Sequence, residues 1–325
     1  MIQLLDCLSE QAYPFDLLEV ILVDDHSEDK GTEFVREFIS KQVKSNFRLL
    51  QLDESDGFSK KAALKKGIQN SSGKLIITTD ADCTFGKNWV NSLVGFYERK
   101  KCRMVSGLVV FENKKGLFHK LQSLEFMSLI ASGAGAISVN NPILANGANL
   151  CFERSLYNEL KTIAHYDHIA SGDDIFLLLE TKKQIKKTGT ICFLKSEDAV
   201  VTTKSARNLK EFVNQRVRWA SKSSSYKDSF AIFTTLVVGL FSISILILLG
   251  FSAINKWFSA IFTAVFVLKL LLDFPLMYSI SAFLRRKKLL WYYLPMQLIY
   301  PFYVLIVAVL SVFMKFEWKG RKRKR

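Results

Sequence analysis

Asp80 and Asp82 stand two residues apart, directly after the apolar run Leu75-Ile-Ile-Thr-Thr79. Carboxylates in that spacing at the end of a buried strand can share one hard divalent cation. Such an ion takes few protein oxygens and fills its shell from substrate phosphates. Mg²⁺ or Mn²⁺ held there would neutralise charge developing on a departing diphosphate. A bare Asp-x-Asp is also a common turn. A second acidic pair sharpens the reading: Asp24-Asp25 follows another apolar run, Glu19-Val-Ile-Leu-Val23. A third pair, Asp173-Asp174, precedes Ile175-Phe-Leu-Leu-Leu179, at the mouth of an apolar helix. One aspartate can cap that helix, a task that suits Asp173. Asp174 is then left to take a proton from an acceptor hydroxyl.

Two further groups carry charge or ligand atoms. Gln215-Arg-Val-Arg-Trp219 reads as an amphipathic interfacial helix, with basic and tryptophan anchors just before an apolar run. His165-Tyr-Asp-His168 has the residue types of a metal pair but no third ligand nearby. It reads instead as a loop leading to Asp173.

The elements that must position these residues alternate. Glu19 to Val23 is a strand ending in Asp24-Asp25-His26-Ser27, and Gly31 to Lys44 is helical. Phe47 to Leu52 is a second strand. Lys60 to Asn70 is a helix with Ala63, Leu64 and Ile68 on its apolar face, and Lys74 to Thr79 is a third strand. Strands separated by helices of this length imply right-handed crossovers and a mainly parallel sheet, an α/β fold. Ligands bind such sheets beyond the carboxyl ends of the strands, so the acidic pairs are expected at one site.

The last third of the chain is different. No charged residue occurs from Phe230 to Ile254 or from Leu289 to Met314, and Trp257 to Leu284 carries only Lys269 and Asp273. Each run reaches the roughly 20 residues needed to cross a hydrocarbon core. The 325-residue chain nevertheless bears a formal charge of +15. The basic residues gather at Lys222, Lys227, Arg285-Arg286-Lys287-Lys288 and Lys319 to Arg325, beside the apolar runs. That placement suits anionic headgroups and the positive-inside bias rather than nucleic acid. The five cysteines are widely spaced without a CxxC, which argues against a disulfide framework and for a reducing compartment.

Taken in order, VDDHS at 23–27, SKKAAL at 59–64, TDAD at 79–82, GDD at 172–174 and QRVRW at 215–219 resemble the family 2 glycosyltransferases. NGANLCF at 146–152 resembles the segment before that family's acceptor loop. The resemblance is to inverting enzymes with a GT-A nucleotide-sugar fold, in the membrane branch that includes cellulose, chitin and hyaluronan synthases. It implies that Asp24 or Asp25 holds the base and ribose, and that Lys60 approaches the nucleotide, with Lys61 one residue away. Asp80 would lie near the nucleotide and Asp82 would ligate Mg²⁺ or Mn²⁺. Asp174 matches the general base and Asp173 stands in the usual glutamate position. Gln215, Arg218 and Trp219 match a motif over the donor diphosphate, where Arg218 offers a fork of always-charged donors.

The expected architecture is therefore a GT-A domain over residues 1–228, followed over 229–325 by two or three transmembrane helices and a basic tail. The expected partners are a nucleotide-diphosphate sugar, UDP-linked, a glycan or lipid acceptor, and the bilayer of a bacterial inner membrane, with the catalytic domain cytoplasmic. The alternatives are a ceramide- or polyprenyl-phosphate-type lipid glycosyltransferase and a non-catalytic membrane subunit.

Two features depart from the family. Its first strand, of the type VxVIIPxRNE, is missing before Met1-Ile-Gln-Leu-Leu5, which reads as the helix after it. Loss of that strand is expected to leave the edges of two neighbours open. Three crossings would also place Lys319–Arg325 outside. Leu289–Met314, with Pro295 and Pro301, is therefore the expected interfacial or re-entrant run.

Overall fold

The computed structural model describes residues 1–41, 46–160, 172–184, 190–314, 316–318 and 321–323. By internal contacts the chain forms two units interleaved in sequence: residues 1–110 with 136–204, and 111–135 with 205–325. Each is taken by itself.

The first unit opens with α1 (Ile2–Ser9), followed by β1 (Val20–Asp24), α2 (Gly31–Ser40), β2 (Phe47–Gln51), α3 (Lys60–Gln69) and β3 (Leu75–Thr78). β1 and β2 pair in parallel, Val20 opposite Phe47 and Asp24 opposite Gln51. Leu5, Val20, Val35 and Phe47 form the small core beneath them. Then come β4 (Thr84–Phe85), α4 (Trp89–Lys100), β5 (Met104–Gly107) and β6 (Val109–Phe111). α5 (Leu117–Ser138) crosses the boundary between the units. β7 (Leu150–Glu153), α6 (Arg154–Glu159), α7 (Asp173–Gln184), β8 (Ile191–Leu194) and β9 (Val201–Thr203) complete the unit.

The larger sheet has the order β3-β7-β5-β8. β5 and β8 are parallel, as the alternating pattern predicts, but β7 lies antiparallel between β3 and β5. The sheet is therefore mixed. Helix–strand alternation is legible in a sequence, whereas the end from which a strand re-enters is a long-range matter. Met104, Leu150, Phe152, Leu156, Leu177 and Leu178 pack as the main core. β1 is hydrogen-bonded only to β2 and β3 only to β7 among the described strands.

The second unit holds α8 (Leu209–Ala220), α9 (Ser229–Ser252), α10 (Lys256–Phe283) and α11 (Tyr293–Phe313). Polar residues start three of these helices. Asn208 accepts from the Glu211 N–H, Asp228 from Ala231 and Asn255 from Trp257, each at 2.9 Å. Ser229–Ser252, Lys256–Phe283 and Lys287–Phe313 are each long and apolar enough to cross a membrane. Pro295 falls in the first turn of α11, where its missing N–H is no loss, and Pro301 is accommodated inside it. Both prolines of Leu289–Met314 therefore sit within the single helix α11, and Lys287–Tyr292 before it form a 3-10 turn. A short antiparallel pair, β10 (Phe316–Trp318) and β11 (Arg321–Arg323), follows.

Candidate functional site

The connection into α3 joins the two strand ends. Ser59 caps the helix, its hydroxyl accepting the Ala62 N–H at 3.1 Å, and this fixes the residues on either side. Before the cap, Phe58 stacks on His26 with ring centroids 4.1 Å apart. After it, Lys60 forms an ion pair with Asp80. One segment of three residues thus touches both the β1 and the β3 ends.

At β1, the Asp24 carboxylate accepts the Ser27 N–H at 3.2 and 3.4 Å, closing the turn. Asp25 lies 3.6 Å from His26 Nδ1. His26 itself has φ +54°, uncommon outside glycine, and so the turn presents its ring to Phe58.

At β3, Asp80, Asp82 and Cys83 bring ligand atoms within 4.8 Å of one another. Asp82 Oδ2 accepts the Thr203 hydroxyl at 3.1 Å. Burial, and then the charges of Asp80 and Asp82, push the Cys83 thiol up to about 11. Two of the three ligand atoms are carboxylate oxygens. That set fits a hard cation such as Mg²⁺ or Mn²⁺ better than a thiolate-seeking metal.

Lys60 is the cation of this cluster. Burial pulls its ammonium down, but the carboxylates of Asp80, Asp174 and Asp173 outweigh that and hold it above its ordinary value. Its side chain is 44 % exposed, with the ammonium turned to Asp80. The adjacent Lys61 turns inward and lies 3.7 Å from Asp173, both side chains under 10 % exposed. The consecutive lysines therefore serve different carboxylates.

Asp174 completes the group. Its Oδ1 accepts the Ile175 N–H at 2.8 Å and its Oδ2 the Gly147 N–H at 2.9 Å. Thr78 at the end of β3 donates to the Gly147 carbonyl at 2.7 Å, tying Gly147 to the strand that delivers Asp80. A Cβ on Gly147 would stand 3.6 Å from Asp174 Oδ2 and 3.7 Å from Lys60 Nζ, so the three meet at one point. Asp173 and Asp174 occupy the first turn of α7.

Gln215, Arg218 and Trp219 stand on α8 in the second unit. The buried arginine of this stretch is Arg216, paired with Glu125. The interfacial-helix pattern gives basic and tryptophan anchors and does not single out Arg216. His165 and His168 lie outside the described residues.

Several participants escaped the sequence reading: Thr78, Gly147, Thr203 and Glu125. Gly147 carried the only signal, inside the NGANLCF stretch. The others are common residue types whose partners are far away in the chain.

A model of the family described as Glycosyl transferase family 2 matches residues 1–161. Glycosyltransferase AglE of Haloferax volcanii is 28 % identical over 173 residues, 53 % of each chain. Poly-beta-1,6-N-acetyl-D-glucosamine synthase of Staphylococcus epidermidis is 27 % identical over 164 residues, 48 % of this chain and 37 % of that one. The chain spans about half, or less, of the length of these curated relatives. Mannosyltransferase PcManGT from Pyrobaculum calidifontis, solved in complex with GDP-Man and Mn²⁺, matches with a TM-score of 0.56 at 17 % identity. The match covers 95 % of this chain and 82 % of that one. At that identity the likeness is one of fold, GT-A-like.

Proposed function

We propose, from the premise that residues 1–161 belong to the family 2 glycosyltransferases, that this chain transfers a sugar with inversion from a nucleoside diphosphate donor, UDP-linked, to a glycan or lipid acceptor. One observation carries the reading: Lys60, Asp80, Asp82 and Asp174 gather in one unit beyond the ends of β1 and β3. The arrangement puts a cation-binding carboxylate pair, an ammonium and a held carboxylate side by side.

Asp82, with Asp80 beside it, is the proposed holder of Mg²⁺ or Mn²⁺, which when bound supplies charge neutralisation to the diphosphate. Asp24 or Asp25 accepts hydrogen bonds from the base or ribose, and Lys60 approaches the diphosphate. Asp174 takes the proton of the acceptor hydroxyl. The freed oxygen pair bonds to the anomeric carbon from the side opposite the donor phosphate. The bond from that carbon to the phosphate oxygen breaks, and its electron pair leaves with the diphosphate. Asp173 is held by Lys61 and keeps α7 in register. A part for Gln215, Arg218 and Trp219 in binding the donor rests on their motif alone. The proposed setting is a multi-pass membrane protein with residues 1–228 on the cytoplasmic face and apolar helices within 229–325.

The test is release of UDP or GDP from UDP-glucose, UDP-N-acetylglucosamine and GDP-mannose by the full chain in detergent, with Mn²⁺, Mg²⁺ or chelator. Polyprenyl phosphate, ceramide and short glycans serve as acceptors. Metal-dependent, acceptor-stimulated release from one donor is expected. Donor binding without release under any of these conditions would favour the non-catalytic subunit instead.

A further inference from the structure

We propose that Arg216 is a positioning residue for Gln215 and Trp219, fixed in place by Glu125 of α5 and Tyr303 of α11. The proposal rests on the reading that the Gln215–Trp219 stretch contacts the donor.

Arg216 and Glu125 are each about 2 % exposed. The guanidinium binds the carboxylate with two donors: Nε reaches Oε1 at 3.1 Å, and Nη2 bonds to Oε2. Tyr303 adds a third donor, its hydroxyl meeting Glu125 Oε1 at 3.0 Å. The carboxylate is thereby held from two helices at once.

What the guanidinium does with its remaining surface is the central point. Nη1 donates to the Gln215 side-chain oxygen at 2.5 Å. The guanidinium Cζ lies over the Trp219 ring, 4.2 Å from the centroid, and over Phe212 at 4.6 Å. Phe126, next to Glu125 on α5, packs against Trp219 from 5.9 Å. One buried cation thus sets the amide of the first residue in the stretch and the ring of the last.

A buried ion pair is poor evidence for stability, because desolvation offsets most of its attraction. Geometry is the better account. Only a planar fork can bond a carboxylate twice, bond an amide oxygen and stack on an indole together; an ammonium cannot. Sequence patterning hides this role, since Arg216 looks like one more basic residue before an apolar run.

The experiment uses the full chain in detergent and UDP with Mn²⁺, or GDP if that binds more tightly. Arg216→Lys keeps the charge opposite Glu125 and loses the fork. Nucleotide affinity is expected to fall about tenfold, the worth of one charge-assisted hydrogen bond. The emission of Trp219, obtained as the difference from the Trp219→Phe protein, is expected to shift with it. If Arg216→Lys does not fold, both readings pass to Tyr303→Phe, where a smaller loss in the same direction is expected. Unchanged affinity, or an unchanged Trp219 emission, overturns the proposal. Failure of the underlying reading looks different: Arg218→Ala would then bind the nucleotide normally, while Arg216→Lys still moved the Trp219 emission.

Discussion

Asp174 Oδ2 accepts the backbone N–H of Gly147 at 2.9 Å, a contact between residues 27 apart in the chain. The bond orients the carboxylate through a backbone donor. Asp174→Asn keeps an oxygen able to accept from Gly147, so the fold is expected to survive. Turnover should fall by roughly 10²–10⁴, the usual worth of general-base catalysis, with donor affinity retained. Single-turnover rates beside nucleotide titrations check this. A collapse of donor affinity would assign Asp174 to the nucleotide instead.

Asp82→Asn replaces a carboxylate with a far weaker ligand for Mg²⁺ or Mn²⁺. The amide oxygen still accepts from Thr203, so thermal stability should barely change. The expected outcome is loss of the gain in UDP affinity that Mn²⁺ confers, together with loss of turnover. Retained Mn²⁺ dependence in this variant would remove Asp82 from the metal site.

Acid sensitivity is expected around Glu153, away from the site. Its partial burial raises the carboxyl, but hydrogen bonds from Arg103 at 2.6 Å and Tyr97 at 2.7 Å outweigh this and hold it below the ordinary range. Glu159, bonded to the same arginine, is lowered too. A carboxyl depressed in the folded state adds stability that is complete above the unfolded value, about 4.3. That stability is lost as pH falls through the folded value. Melting temperatures of the natural protein and Arg103→Met should therefore differ at pH 6 and converge only as pH falls below the ordinary carboxylate range. A gap independent of pH would mean that Arg103 acts by packing.

Inside α10, Lys269 donates to Asp273 at 2.6 Å, and Gln297 of α11 joins both, its amide reaching Asp273 at 3.2 Å. An unpaired charge in a membrane helix costs at least about 2.5 kcal/mol on insertion scales. Lys269→Leu and Asp273→Leu should each reduce insertion or melting temperature, and the double change should restore both along with activity. A stable, inserted, inactive double variant would point to a path for an acceptor through this cluster.

The sequence alone determined the parts of this protein that depend on local pattern. Long apolar runs with little or no charge specify long helices whatever surrounds them, and the structure has them at Ser229–Ser252, Lys256–Phe283 and Tyr293–Phe313. Short β-branched runs ending in aspartates specify strand ends, and these fall at Asp24 and just before Asp80. Tertiary structure alone decided what those residues meet. β7 runs antiparallel between β3 and β5, pairing with residues 75–78 and 104–106, a long-range matter that no window of residues contains. The lysine pair divides between Asp80 and Asp173 because neighbours on a helix point about 100° apart. Arg216 is buried because Glu125, 91 residues away, is there to neutralise it; composition near the motif would put it in water.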